Sequence, residues 1–241
     1  MTSKDRTMFS LQSFFPWHPR GVPFVDTAPT RRYRPALVSE RQEVLEALAG
    51  ADADIAVWRR PVPEGSSTAL ATWACSSPPP CDRTYRVQSS DLAPWISGLV
   101  DAEARAWLER DVRTLVARFA GALDVEEVRL VLGVVSDDKC RKFHVDNLRM
   151  RMVCTYVGPG TEWVEDAWVR REALTHGAAG AVTNRGIVDG LDHVEHANAG
   201  DVLWIRGRSW RPGPFGGVHR SPSIAESGQV RLVLVVSPLT P

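Results

Sequence analysis

Long apolar runs are missing from this 241-residue chain, and none approaches the ~18 residues that a membrane-crossing helix needs. Excess charge is missing as well. Lys plus Arg number 29 and Asp plus Glu number 29, so there is no basic surplus with which to coat nucleic acid or an anionic membrane, and neither partner is expected. The N-terminal stretch MTSKDRTMFSLQSFF begins basic but is not followed by an apolar segment with a small-residue cleavage site. Export is therefore not expected, and the cytoplasm is the expected location. Cysteine is scarce: Cys75, Cys81, Cys140 and Cys154 include no C-x-x-C pair, which points to free thiols rather than a disulfide framework. Also absent are G-x-G-x-x-G, the P-loop lysine motif, H-E-x-x-H and G-x-S-x-G. These absences argue against dinucleotide enzymes, nucleotide hydrolases, zincins and α/β-hydrolases.

What is present is a globular composition. The hydrophobic fraction is 44% and nine tryptophans are available to fill a core or line an aromatic cavity. Residues 1–35, rich in Pro, Arg and aromatics without a period, read as an irregular arm. Residues 36–124 read as a mostly helical support region. Ser39 to Leu48 has an N-cap serine and an apolar face of Val44, Leu45 and Leu48, and Asp91 to Leu123 forms two helical pieces, the second with Ala104, Leu108, Val112, Leu115, Val116 and Phe119 at helical spacing. Asp54 to Arg60 is a short strand stopped by Pro61, and residues 76–82 form a proline-stiffened loop.

The period changes in residues 125–241. Val128–Val135, Leu148–Tyr156, Asp201–Arg206 and Val230–Val236 read as strands, GPGT at 158–161 as a turn, 162–176 as a short helix and 180–190 as loop with one strand. Within Leu148–Tyr156, Leu148, Met150, Met152, Cys154 and Tyr156 share one face, and Arg149, Arg151, Val153 and Thr155 share the other. The expected class is α+β: a helical N-terminal half packed on a C-terminal double-stranded β-helix, a jelly roll of cupin-like form.

The sharpest chemical feature is His144-Val145-Asp146. Residues two apart on a strand point to one side, so an imidazole and a carboxylate project together. One more imidazole would complete the facial set that holds non-haem Fe(II) and leaves positions open. His219, which lies 75 residues downstream before the last apolar strand, is the candidate. H-x-D alone is better met by a core or rim histidine bonded to Asp146 or to the backbone. Arg231, inside the apolar run QVRLVLVV, changes the weighing, because a charge in a buried strand needs a partner. It either pairs with a core carboxylate, snorkels to water, or clamps the carboxylate of an anionic cosubstrate.

The order H-x-D, GPGTEW, GDVLWIRG and VHRSP followed by VRLVL resembles the Fe(II)/2-oxoglutarate-dependent oxygenases of the prolyl-hydroxylase type over about residues 140–237. The resemblance implies His144, Asp146 and His219 as metal ligands, Arg231 as the residue that holds 2-oxoglutarate, and Tyr156 as a further hydroxyl for it. The spacing of 12 between His219 and Arg231 is slightly long for that pattern. A wider likeness, through AVWRRPVP, CRKFHVDNLRMRMVCTYVGPGTEW and GDVLWIRG, is to an uncharacterised bacterial family, domain of unknown function 1826, whose label implies no activity.

Cys140 supports a rival. The spacing Cys140-x-x-x-His144-x-Asp146 would let Cys140, His144, Asp146 and His219 close a tetrahedron around Zn(II), a structural, storage or hydrolytic site. Against ligation stands a free thiol at a strand entrance, flanked by Lys139, Arg141 and Lys142. A metal-free binding module, with His144 and Asp146 as a structural hydrogen bond, is the third reading. His193 and His196 read as a solvated loop, His176 as a helix-end imidazole, and Trp210 as a wall of a pocket near His219. Arg149 and Arg151 either guide an anionic substrate or pair with Glu162 and Glu165. The substrate class, small molecule or peptide, and the oligomeric state are not legible.

Overall fold

A computed structural model describes residues 34–88, 91–138, 140–175, 183–212 and 215–239. In chain order these residues form β1 (Leu37–Ser39), α1 (Val44–Ala47, prolonged by a 3-10 turn to Gly50), β2 (Ile55–Trp58), α2 (Glu64–Cys75), β3 (Cys81–Arg86), α3 (Ala93–Ile96), α4 (Ala102–Leu123) and β4 (Glu127–Val135). They continue as β5 (Met150–Val157), β6 (Glu162–Val164), α5 (Arg171–Thr175), α6 (Asn184–Ile187), β7 (Val194–His196), β8 (Val202–Arg206), β9 (Val218–Arg220) and β10 (Arg231–Pro238). The architecture is mixed α/β. A seven-stranded sheet runs in the order β1-β2-β8-β5-β10-β4-β3, and a three-stranded sheet runs β7-β6-β9. Every neighbouring pair is antiparallel except β1 and β2. Among the described residues no helix is long and apolar enough to cross a membrane.

The alternation in β5 separates the two faces of the large sheet. Met150, Met152, Cys154 and Tyr156 pack with Leu70 and Trp73 of α2 and with Leu108, Val112, Leu115 and Phe119 of α4. Each fully buried aliphatic or aromatic side chain of this layer contributes roughly 1.5–3 kcal/mol. Val153, on the opposite face, packs with Ile55, Val57, Leu203 and Val233 of the large sheet and with Trp163 of β6, so the second core lies where the two sheets meet. Helix α4 starts where Asp101 accepts a hydrogen bond from the Ala104 N–H at 2.8 Å, a cap that contributes about 1 kcal/mol. It stops at Asp124, which is in the left-handed conformation (φ 53°).

Several expectations need correction. Residues 36–124 are not simply a helical support, since β1, β2 and β3 extend the same sheet as the downstream strands. The expected helix at Ser39–Leu48 shrinks to α1 because Leu37–Ser39 pairs in parallel with β2. The expected loop at 76–82 ends in β3, whose outward residues Asp82, Thr84 and Arg86 leave only Cys81 and Tyr85 as a core signal. The expected helix at 162–176 opens instead with β6. Three residues, all buried, carry no period. His176 and residues 180–182 lie outside the described residues, as do Lys139 and almost all of the N-terminal arm.

Candidate metal centre

His144 and His219 are brought together by the backbone. The His144 N–H donates to the His219 carbonyl at 3.0 Å and the His219 N–H donates to the His144 carbonyl at 3.1 Å, so the two residues are a directly opposed antiparallel pair. Their side chains therefore leave on one side, with ring centroids 4.5 Å apart. Asp146, two residues on, joins them. Its Oδ1 lies 3.8 Å from His144 Nε2 and its Oδ2 lies 3.5 Å from His219 Nε2. Glycine permits this approach: a Cβ on Gly216 (φ +106°) would meet Val145 Cγ1 at 2.3 Å, and one on Gly207 would meet the Leu148 carbonyl oxygen at 2.0 Å.

The far side of each ring sets its tautomer. His144 Nδ1 lies 2.8 Å from the Lys142 carbonyl and His219 Nδ1 lies 3.0 Å from the Gly217 carbonyl. A carbonyl only accepts, so Nδ1 carries the proton in both neutral rings and each Nε2 lone pair faces Asp146. This is the outer arrangement found behind metal-bound imidazoles. Burial pushes the His219 pKa down to about 4, against the pull of Asp146, so the ring is neutral at physiological pH. Asp146 Oδ2 is buried and accepts no aligned hydrogen bond. Arg151 Nε approaches it at 2.8 Å as an ion pair.

The three ligand atoms lie within 4.8 Å of one another. Two donors sharing an ion at ~2.1 Å each stand roughly 3.0–3.4 Å apart, so small movements would seat a cation here. Asp146 and His219 are almost sealed, and 33% of the His144 side chain is exposed, so the set has one open side. Three ligands with an open face is the donor set of non-haem Fe(II). Among the described residues, Cys140 does not belong to this set. Cys140 turns at φ 60° and lines the adjoining cavity, exposed, so the rival four-ligand closure does not form and three ligands group together.

That cavity holds about 240 Å³ and runs from His144 and His219 to Arg231. Its walls are largely apolar, with Val153, Val233 and Val235 among them, and Thr161 and Arg151 add polar groups. Arg231 is 2% exposed. Its Nε donates to the Pro159 carbonyl at 2.6 Å and an Nη donates to Thr155 Oγ1 at 3.2 Å. Among the described residues no carboxylate pairs with it, and desolvation pushes its pKa from 12.5 down to about 10 despite the field of Glu162. Glu162 is engaged elsewhere, paired with Arg220 and 3.4 Å from His196. The expected alternatives for Arg231, a core ion pair or a snorkel to water, are therefore not what the structure holds.

Tyr156 is a correction. It lies on the helix-facing side of β5, where its hydroxyl donates to Asp111 Oδ2 at 2.8 Å within a buried group that includes Arg60 and Cys154. The same burial pushes the Cys154 thiol up to about 12 and leaves it an inert packing group. Strand alternation carries Thr155, not Tyr156, to Arg231. The two-residue period puts Thr155 on that face but says nothing of its role. Arg151 pairs with Asp146 rather than with Glu162 or Glu165. His193 stacks on Trp168 at 3.5 Å, so H-x-x-H brings no ligands together. Trp210 lies under Arg206 and Arg149, at 4.7 Å and 5.7 Å, and not in the cavity wall.

Among solved structures, the chain is similar to a dioxygenase for auxin oxidation from Arabidopsis thaliana in its complex with 2-oxoglutarate. The match has 8% identity and a TM-score of 0.45, and covers 86% of this chain and 93% of that one. No curated protein matches. The family model described as "Protein of unknown function (DUF1826)" matches residues 39–237, from the start of the sheet through β10, and the chain belongs to that family.

Proposed function

We propose that this protein is an Fe(II)- and 2-oxoglutarate-dependent oxygenase whose two sheets are the layers of a double-stranded β-helix. The observation that carries the reading is Arg231, a buried guanidinium with no acid partner among the described residues, in the same small cavity as His144 and His219 of a three-ligand set with an open side. An uncompensated buried charge is costly, and an incoming carboxylate relieves that cost. The volume is below the ~300–1,000 Å³ of drug-sized ligand sites and suits a short dicarboxylate.

His144, Asp146 and His219 would hold the ion. When bound, Fe(II) with 2-oxoglutarate and dioxygen supplies an oxidation in which the cosubstrate loses CO2 to become succinate, with one oxygen atom entering succinate and the other a substrate C–H bond. The chain's own residues do the rest. The Lys142 and Gly217 carbonyls hold both imidazoles in the ligating tautomer. Arg151 orients Asp146 through their ion pair. Arg231, held by Thr155, receives the distal carboxylate, and the valine walls exclude water from the reacting end.

The test is anaerobic titration of metal-free protein with Fe(II) and 2-oxoglutarate. The expected result is a visible charge-transfer band that requires both additions, followed on aeration by succinate in step with oxygen consumed. Absence of the band together with absence of oxoglutarate-dependent oxygen uptake overturns the proposal.

A further inference from the structure

His144 separates two hollows. Behind it lies the cavity that ends at Arg231. On its exposed side is a second hollow of about 430 Å³, within the size range of small-molecule sites. Its apolar wall is made by Phe143, Val145, Leu174 and Ile187, and the wall is built rather than incidental. Phe143, Val145 and Ile187 are buried in one cluster with β9, and the side chain of Asn184 pins α6 to the ligand segment by accepting from the Phe143 N–H at 2.9 Å and donating to the Arg141 carbonyl at 3.0 Å. Lys142 and Arg208 complete the lining. Both are exposed, and neither has an ion-pair partner among the described residues. No carboxylate lines this hollow among the described residues. In a chain with a formal net charge of zero, two unpaired cations at one opening beside an apolar wall select a particular ligand chemistry.

We infer that this hollow takes the primary substrate, and that the substrate is a small organic anion with an apolar body. Its carboxylate or equivalent faces Lys142 and Arg208, and its hydrocarbon lies on Leu174 and Ala173, which the buried Phe143 and Ile187 back, against the open side of His144. The word substrate rests on the oxygenase reading above, whereas the binding site does not. A hollow with acids among its lining would instead admit cations, and one without an apolar wall would retain only a hydrated anion.

The test uses three probes with the same chain length: octanoate, octanol and octylamine. Calorimetric titration of the metal-free full chain is expected to show one octanoate site, with octanoate at least about tenfold tighter than either other probe. The Lys142→Gln, Arg208→Gln double variant is expected to abolish that preference. Equal binding of octylamine or octanol, no binding of octanoate, or a preference that survives the double variant overturns the inference. In protein loaded anaerobically with Fe(II) and 2-oxoglutarate, octanoate is expected to perturb the charge-transfer band. A band that forms but ignores bound octanoate overturns the substrate role. Octanoate binding without any band to perturb would instead refute the oxygenase reading and leave the anion site standing.

Discussion

Replacing Arg231 by methionine separates a ligand-binding arginine from a structural one. The fall of its pKa from 12.5 to about 10 corresponds to ~3 kcal/mol of penalty on the charged form. Its two hydrogen bonds, to the Pro159 carbonyl at 2.6 Å and to Thr155 Oγ1 at 3.2 Å, return about 1.5 kcal/mol each, the low end for charged donors. The guanidinium thus contributes close to nothing to the stability of the ligand-free protein, and methionine fills much of the same volume. Arg231→Met is expected to shift the melting temperature by no more than about 4 °C, the equivalent of roughly 1 kcal/mol in a chain of this size. Breaking a buried ion pair would cost ~3–5 kcal/mol instead. In the Fe(II)-loaded protein under anaerobic conditions, 2-oxoglutarate binding is expected to weaken by ~2–5 kcal/mol, about 30-fold to several thousand-fold, because a desolvated carboxylate loses the cavity's one arginine that no described acid already pairs. The two measurements are chemical denaturation of metal-free protein and calorimetric titration of the loaded protein. A variant destabilised by 4 kcal/mol or more, or one that binds 2-oxoglutarate as the parent does, would refute the reasoning.

Three further outcomes are expected. Metal-free protein is at full stability above pH 6.5 and loses stability as pH falls toward 4, because the unfolded chain protonates His219 near 6.5 while the folded chain resists until about 4. Thermal unfolding in chelator across that range measures this, and an unchanged pH slope in His219→Gln would count against it. Tyr156→Phe removes the donor to Asp111 and should cost about 1–2 kcal/mol in denaturation without altering 2-oxoglutarate affinity, since the hydroxyl lies on the other face of β5. Cys140→Ser should retain metal as the parent does in elemental analysis of dialysed protein, and a strong loss would restore the four-ligand zinc reading.

The chemistry of the candidate site was legible because strand alternation is a local rule. His144 and Asp146 are two apart, so a strand there would project them to one side, although in the structure His144 forms only an isolated bridge with His219 and Asp146 lies outside every strand. Arg231 announced itself as a charge inside an apolar run, and helix α4 announced itself by an apolar stripe bounded by Asp101. Less legible were elements whose packing supplies the signal. Strands β3 and β6 have too few inward residues to show a period, yet each is held in place by its neighbour's hydrogen bonds. Tyr156 is of the residue type the family resemblance implies, yet alternation along β5 turns it to the helix-facing side, where it bonds Asp111. Thr155, the residue that alternation does present to Arg231, carries no distinctive sequence signal.

From its sequence alone this chain determines which side chains share a strand face, that one arginine is buried among valines, and that its charges cancel. Only the tertiary structure decides that His144 and His219 exchange backbone hydrogen bonds across a separation of 75 residues, that Cys140 stands outside their ligand set, and that no carboxylate among the described residues pairs with Arg231. The physical reason is that period and composition are properties of neighbours along the chain. The convergence of two imidazoles, or the absence of a counter-charge, is a property of the register between strands that are distant in sequence, and that register is selected only when the whole core packs.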